Sequence, residues 1–333
     1  MIGFGRIAAG FATDAKIAKM HRFASHAQVL ATHPRFEWVG VAEPDAAKRA
    51  SATGDWMVAH ATESAAALAS LVAPEVVVLA MPPGGRLEAL DAFDTVRAVV
   101  VEKPLGGSVA EAERFLAHCR QNDILVQTNF WRRAEPLFRG LADGGLEGRI
   151  GRVQGAAAVY GGGLRNNGSH LIDLCRMLFG EIETVQTLSS VKNADRSAIA
   201  GDFEAAFALH HAGGVTVSAM PLDFGAYREI ALEIWGMDGR ISLTQETTLL
   251  REYRPTAHRQ LEGANEIAGD SAPRAEAHIS GTALYALYDN LVEALDADAE
   301  LWAAGADALA AERVIEAVAG SSAASGVRVS LRS

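Results

Sequence analysis

Val99-Val100-Val101-Glu102-Lys103-Pro104-Leu105-Gly106-Gly107 is the stretch from which this 333-residue chain is best read. Three β-branched residues in succession suit a parallel strand covered on both faces. Proline has no N–H to give the ladder and ends the strand. Glu102 and Lys103 are thereby left at a strand's carboxyl end, where open α/β sheets bind ligands. Taken alone, a Glu-Lys pair at a strand exit is more often a solvated pair than a site, so its weight depends on the flanking sequence.

On either side the pattern repeats. Phe36 to Ala42, Glu75 to Ala80 and Ile124 to Thr128 read as further strands, the first ending in Glu43-Pro44-Asp45 and the second in Met81-Pro82-Pro83-Gly84-Gly85. Arg86 to Phe93 and Val109 to Cys119 read as helices, and an alanine-rich helix precedes Leu71. Strands alternating with helices predict a doubly wound parallel sheet, a Rossmann domain over residues 1–127. The chain opens Gly3-Phe4-Gly5-Arg6-Ile7-Ala8, a dinucleotide fingerprint with Ala at the third glycine position. Gly3 would allow the tight turn and Gly5 the approach of a pyrophosphate, and the amino terminus of a following helix would supply N–H groups. Arg6 and Ile7 share that loop and are carried as cofactor contacts, together with Pro82 after the second strand. Only Met1 and Ile2 precede the fingerprint, where a strand needs about five residues; a first strand cut short, with the true start upstream, is the expectation. Glu43, at the end of the next strand, is placed to accept from the adenosine ribose hydroxyls, which favours NAD; Lys48 and Arg49 nearby keep NADP open. From Ala8 to Glu43 is 35 positions where about 20 are usual. The surplus around Phe11 to His21 reads as an extended or broken first helix, either a lid or a surface insertion.

The formal net charge is −11 with no Lys/Arg cluster, which argues against nucleic acid and anionic membrane as partners. No apolar run reaches the ~18 residues of a membrane span, and no leader is evident, so a cytoplasmic location is expected. Cys119 and Cys175 lie far apart, make no metal-spaced pair and read as reduced thiols; no metal site is expected.

In the second half, Tyr160-Gly161-Gly162-Gly163-Leu164-Arg165-Asn166-Asn167-Gly168-Ser169 approaches a helix, His170 to Phe179, stopped by Gly180. Asn166, His170 and Asp173 are spaced by four and three, the spacing of one helix face. Residues 182–250 alternate as strands of a large sheet, with Met237-Asp238-Gly239 as a hairpin turn. Gln260 to Arg274 reads as a loop, and His278 to Leu295 and Ala303 to Ala319 as helices.

Taken in order, GFGRIA, VGVAEPD, VVVLAMPPG, VVVEKPLG, QTNFWRR, GRIGRV, GSHLIDLCRMLFG and LEIWGMDGRISL resemble the glucose–fructose oxidoreductase / inositol dehydrogenase (Gfo/Idh/MocA) family over nearly the whole chain. The resemblance implies a Rossmann domain, then an α+β domain over residues 128–333 with a large, mostly antiparallel open sheet, whose outer face makes homodimer or homotetramer contacts. It implies oxidation or reduction of a sugar, inositol or related polyol, or a nucleotide-linked sugar, with NAD or NADP. It makes Lys103 the active-site lysine, with a cis Lys103–Pro104 bond, and assigns His170 to the site. Many members have Asp four residues before the histidine; Asn166 stands here, and an amide takes no proton at neutral pH. Asn129, Arg132 and Arg133 are candidates for lining the nicotinamide or substrate pocket, with a cap or a pair across domains an equal reading of Arg133; Asn167 is a candidate substrate contact and Glu102 a cofactor contact.

The proton must be managed by Lys103 or His170. A free Lys titrates near 10.4 and a free His near 6.5. Half-neutrality of Lys103 at pH 7 would demand a fall of about 3.4 units, or about 4.6 kcal/mol, and Glu102 opposes it. His170 is therefore expected to accept the proton while Lys103 polarises the hydroxyl oxygen. This requires that Lys103 and His170 serve one cleft. A keto-sugar reductase using NADPH and a non-catalytic dinucleotide- and sugar-binding regulator remain as alternatives.

Overall fold

The computed structural model describes residues 1–331. The chain forms two compact units, Met1–Glu135 with Ser280–Ala310, and Pro136–Ile279 with Ala311–Ser333. A single cut after residue 127 therefore does not separate them, because residues 280–310 return to the first unit after the second has begun.

The first unit holds the strands β1 (Gly40–Ala42), β2 (His60–Thr62), β3 (Val76–Leu79), β4 (Ala98–Val101) and β5 (Leu125–Thr128). β1 pairs with β2 and β3-β4-β5 pair in order, all in parallel. Ile2 joins the two sets: it forms parallel bridges to Ala42 and to Leu79, with Ile2 N donating to Val78 O at 2.7 Å and Gly3 N to Ala42 O at 2.8 Å. The order β2-β1-Ile2-β3-β4-β5 reverses direction at Ile2, the switch point where such sheets open a ligand crevice. β4 is buried at every residue, as a strand covered on both faces must be.

The helices of this unit are α1 (His26–Leu30), α2 (Ala46–Gly54), α3 (Ala65–Ala69), α4 (Arg86–Asp91), α5 (Val109–Gln121) and the later helix Ala283–Ala297. Ser25, Asp45, Ser64 and Ser108 accept from backbone N–H groups at the starts of α1, α2, α3 and α5, which satisfies donors that a helix start leaves open. Two expectations are corrected. The strand drawn from Phe36 is ladder only over Gly40–Ala42. The fingerprint does not run into an α-helix: Ala9 N and Gly10 N both return to Gly5 O, and short 3₁₀ turns follow at Gly10–Thr13 and Ile17–Lys19. Gly10 and Thr13 are poor helix formers, and Asp14 accepts from Lys16 N and Ile17 N at 3.0 and 3.3 Å, an Asx turn that competes with helix.

The second unit is built on a sheet of β6 (Val153–Tyr160), β7 (Ile182–Thr187), β8 (Phe207–His211), β9 (Thr216–Pro221), β10 (Ala231–Gly236), β11 (Arg240–Thr244), β12 (Leu249–Tyr253), β13 (Ala275–His278) and β14 (Val329–Ser330), in the order β13-β12-β11-β10-β6-β9-β8-β7-β14. All neighbours are antiparallel except β6 and β9. The β10–β11 hairpin turns at Met237-Asp238-Gly239, with Gly236 N donating to Gly239 O. Along β9, Val217 and Ala219 point inward while Thr216 and Ser218 stay exposed, the alternation of a sheet with one covered face. The helix α6 (Ser169–Phe179) carries the histidine motif and buries eight of its eleven residues. The stretch 260–274 is mostly loop, with a small ladder of Thr256–Ala257 against Asn265–Glu266.

Leu209, fully buried in β8 between β7 and β9, tests this packing. Leu209→Ala is expected to lower the unfolding free energy by about 2–5 kcal/mol, read from denaturant unfolding. An effect below about 0.5 kcal/mol would contradict a core position there.

Candidate functional site

In the first unit the carboxyl ends of β1, β3, β4 and β5 lie on one edge of the sheet, because the strands are parallel and paired in register. Glu43, Ala80, Glu102 and Asn129 leave those ends in turn. Lys103 follows Glu102, half-buried, and the Lys103–Pro104 peptide is cis.

Glu102 is 9% exposed. Its Oε1 accepts from His26 Nε2 at 2.9 Å and from Asn129 Nδ2 at 2.6 Å. Burial alone would push this carboxyl up, but the His26 ring, the Asn129 amide and the Lys103 charge outweigh it and hold it below the usual range. His26 is fully buried and its Nδ1 lies 2.7 Å from the Tyr288 hydroxyl. Burial and the Glu102 charge raise the Tyr288 hydroxyl well above its ordinary value. His26 and Tyr288 carry no local signature: one sits at the end of the surplus segment, the other in a helix near residue 288.

Arg86, 2% exposed, was likewise not singled out from the sequence. Its guanidinium donates to Met81 O at 2.7 and 3.2 Å, to Pro104 O at 2.6 Å and to Leu105 O at 3.1 Å. It thereby ties the turn after β3, which contains Pro82, to the turn that carries Lys103.

The fingerprint loop divides its glycines between two tasks. Gly3 has φ +87°, and a Cβ there would stand 2.9 Å from Ala80 O, so only glycine fits. A Cβ on Gly5 would meet nothing within 4 Å; the space over Gly5 is open, as the approach of a bulky anion requires. Glu43 is buried, its Oε2 accepting from Phe4 N at 2.7 Å and its Oε1 from Asp45 N at 3.0 Å. Glu43 thereby braces the fingerprint loop, and Asp45 rather than Glu43 caps α2. Arg6 is exposed, with its guanidinium 4.8 Å from the Phe11 ring centre.

The surplus segment folds back over this edge. Ile7, Phe11, Ile17, His21, Phe23, Asn129, Trp131 and Leu284 are among the residues that line a cavity of about 230 Å³. His21 meets the Trp131 ring edge-on at 5.4 Å, and Arg22 N donates to Gly281 O at 2.9 Å. Asn129, 6% exposed, has a buried Oδ1 with no hydrogen-bond partner in the protein. An acceptor in that state costs free energy unless a ligand N–H or water meets it. Arg133 pairs with Asp307 at 3.0 Å, both side chains largely buried, so the structure commits it to a packing role; Arg132 stacks on the Trp131 ring at 4.4 Å.

In the second unit the glycine run is clasped by Asp202. Its carboxylate accepts from Arg165 N at 2.9 Å, Asn166 N at 3.1 Å and Ser197 Oγ at 2.7 Å. Gly163, at φ +99°, lies so close to that carboxylate that a Cβ would collide with it. Asn166 Nδ2 donates to Gly162 O at 3.1 Å and Asn167 Nδ2 to Gly161 O at 2.6 Å. Both amides therefore shape the turn. Half-buried His170 sits in the first turn of α6. Asp173 is 1% exposed and lies 3.7 Å from Arg176, which also holds Glu181 at 2.6 Å, so Asp173 packs rather than faces a ligand. Among the described residues no group of three His, Cys, Asp or Glu side chains is placed to hold a metal ion, and no helix is long and apolar enough to cross a membrane.

Two sequence models cover most of this architecture. Residues 1–130 match the model described as "Oxidoreductase family, NAD-binding Rossmann fold", and residues 142–242 match the GFO/IDH/MocA C-terminal domain. The chain belongs to the Gfo/Idh/MocA oxidoreductase family. It is 27% identical to the D-apiose dehydrogenase of Paraburkholderia graminis over 217 residues, 58% of this chain and 55% of that one, so it spans about half the length of this curated relative. Among solved structures, levoglucosan dehydrogenase in complex with NADH and levoglucosan superposes with a TM-score of 0.74 at 19% identity, over 100% of this chain and 98% of that one. The WlbA dehydrogenase of Bordetella pertussis, with NADH and UDP-GlcNAcA, gives a TM-score of 0.70 at 18% identity, over 100% and 98%. At these identities the structural likeness speaks for the fold.

Because the folded value of Glu102 lies below its ordinary 4.5, its ionised form contributes stability above that pH, lost as pH falls through the folded value. Glu102→Gln is therefore expected to lower the melting temperature at pH 7, with the gap to the parent protein narrowing as pH falls below 4.5. A gap that is constant from pH 7 to pH 3 in thermal melts would show that the carboxylate charge contributes nothing.

Proposed function

We propose that this protein is a nicotinamide-dependent dehydrogenase that moves a hydride between the cofactor and a hydroxyl-bearing carbon of a sugar, inositol, nucleotide-linked sugar or related polyol. The observation that carries the reading is Lys103 at the carboxyl end of β4, beside a buried carboxylate and next to a fingerprint loop whose Gly5 leaves room for a diphosphate. When bound, the nicotinamide supplies the hydride acceptor or donor. The loop of Gly3, Gly5, Arg6 and Ile7 would hold the diphosphate, with its backbone N–H groups and the side chain of Arg6 facing the charge. The unpartnered Asn129 Oδ1 supports a contact with a carboxamide N–H, since the protein itself gives that atom no donor. NAD is favoured over NADP by the acidic Glu43 at the end of β1, although both its oxygens already accept backbone N–H groups.

Lys103 acts as a cation on the substrate oxygen. Glu102 beside it opposes loss of the ammonium charge, which makes the lysine a poor base and a good electrostatic anchor. His170 takes the hydroxyl proton as the C–H hydride leaves, and returns it in the reverse direction. The Asn166 amide is spent on Gly162 O, and a neutral amide relays no proton; His170 works without a carboxylate at that position. Asn166 and Asn167 therefore act on substrate through the shape of the turn. Homodimer or homotetramer formation through the sheet of the second unit completes the proposal.

Three measurements test it. A screen of sugars, inositols and nucleotide sugars with NAD and NADP, followed at the absorbance of the reduced nicotinamide, should give turnover; binding of both ligands without turnover would identify a regulator instead. Gly5→Val should leave the melting temperature nearly unchanged, because its side chain enters open space, while weakening NADH binding at least tenfold by fluorescence titration; equal affinities would sink the fingerprint assignment. Lys103→Met and His170→Asn should each lower kcat about 100- to 10,000-fold. If both groups serve one step, the double variant should lose far less than the product of the two effects; full additivity would refute a shared step.

A further inference from the structure

We infer that His26 and Tyr288 are positioning residues that hold an ionised Glu102 carboxylate beside Lys103. The inference deepens the reading of Lys103 given above and rests on it, although its test reads Lys103 alone. His26 opens α1, with Ser25 as cap, and Tyr288 lies in the helix Ala283–Ala297. Both are completely buried. The imidazole spans the gap between them and the sheet edge: Nε2 is 2.9 Å from Glu102 Oε1, and Nδ1 is 2.7 Å from the Tyr288 hydroxyl. A carboxylate oxygen only accepts, so Nε2 carries a proton and donates it to Glu102. The phenol engages Nδ1 and keeps the ring in that orientation. Phe36 meets Tyr288 edge-on at 5.3 Å and closes the far side.

This geometry sets the charge that stands beside the next residue. A buried carboxylate without donors takes up a proton. Were Glu102 neutral, the half-buried Lys103 ammonium would lose the negative charge beside it and would release its own proton more easily. With His26 and Asn129 both donating to Oε1, Glu102 stays ionised and its charge favours the ammonium form of Lys103. The groups that face Glu102 are His26 from α1, Asn129 from the end of β5 and Lys103 from its own strand. Tyr288 stands against His26, and its neighbour Asp289 pairs with His33 at 3.0 Å. No proton crosses from Tyr288 to Lys103 in this arrangement; the effect is electrostatic and orientational.

The sequence contains only five lysines, so the titration of Lys103 can be followed directly. The experiment uses the full chain labelled with ε-¹³C-lysine, without substrate or dinucleotide, with the Lys103 signal assigned by Lys103→Arg. In Glu102→Gln the Lys103 midpoint should fall by about one unit, a tenfold larger neutral fraction at a given pH below the midpoint. His26→Leu should produce a fall of similar size, and Tyr288→Phe a smaller one in the same direction, while the other four lysines stay in place. An unmoved Lys103 in Glu102→Gln would overturn the link between carboxylate and lysine. A shift in Glu102→Gln but none in His26→Leu would overturn the role of His26. If His26→Leu does not fold, Tyr288→Phe decides, and a midpoint equal to that of the parent chain refutes the inference. Because no turnover is read, absence of dehydrogenase activity would overturn the function proposed above and leave this titration intact.

Discussion

A carboxylate removed from water at the edge of a parallel sheet governs the first unit. Taking such a charge out of solvent costs several kcal/mol unless donors replace the lost hydration. For Glu102 the donors come from His26 and Asn129, and His26 is set in turn by Tyr288. Residues 26, 102, 129 and 288 must therefore be brought together before the end of β4 is stable. That demand explains why the segment 280–310 belongs to the first unit, and why the irregular stretch after the fingerprint ends in a capped helix with a fully buried histidine.

The second unit meets a similar demand with a different device. A buried carboxylate, Asp202, gathers backbone N–H groups from residues 165 and 166 and the hydroxyl of Ser197. Glycine at 163 is the condition for that clasp, since any side chain would strike the carboxylate. The turn so formed delivers His170 to the start of α6 with its neighbours fixed by their own backbone contacts. In both units a buried acid organises main-chain or ring donors.

Much of this was legible in the linear pattern. The runs Val76–Leu79 and Ala98–Val101 are wholly apolar because their strands are covered on both faces, and the alternation at Thr216–Met220 reflects a sheet with one covered face. The doubly wound sheet followed from the alternation of strands and helices, the cis bond and the mostly antiparallel sheet from the family resemblance, and all are present. Other features escaped for identifiable reasons. Glu43 is an acid at a strand end, but nothing local shows that its oxygens also accept from Phe4 N and Asp45 N and brace the fingerprint loop. Arg133 reads equally as a pocket residue and as a structural pair, and its partner, Asp307, lies 174 positions away by their numbers. Arg86 was passed over because an arginine after two glycines looks like an exposed helix start, whereas three carbonyl oxygens draw it inward.

The sequence by itself determined the strand ends, the glycines of the fingerprint, the order of acid, base and proline in the β4 turn and the spacing around His170. Each is a local property, set by which residues can pair in a ladder, turn tightly or share a helix face. Only the tertiary structure decided which polar groups are spent on holding the protein together and which are left to meet a ligand. The reason is desolvation: a buried donor or acceptor must find a partner wherever the chain can bring one, and for Glu102, Arg86 and Asp202 that partner lies at a sequence distance no local pattern encodes.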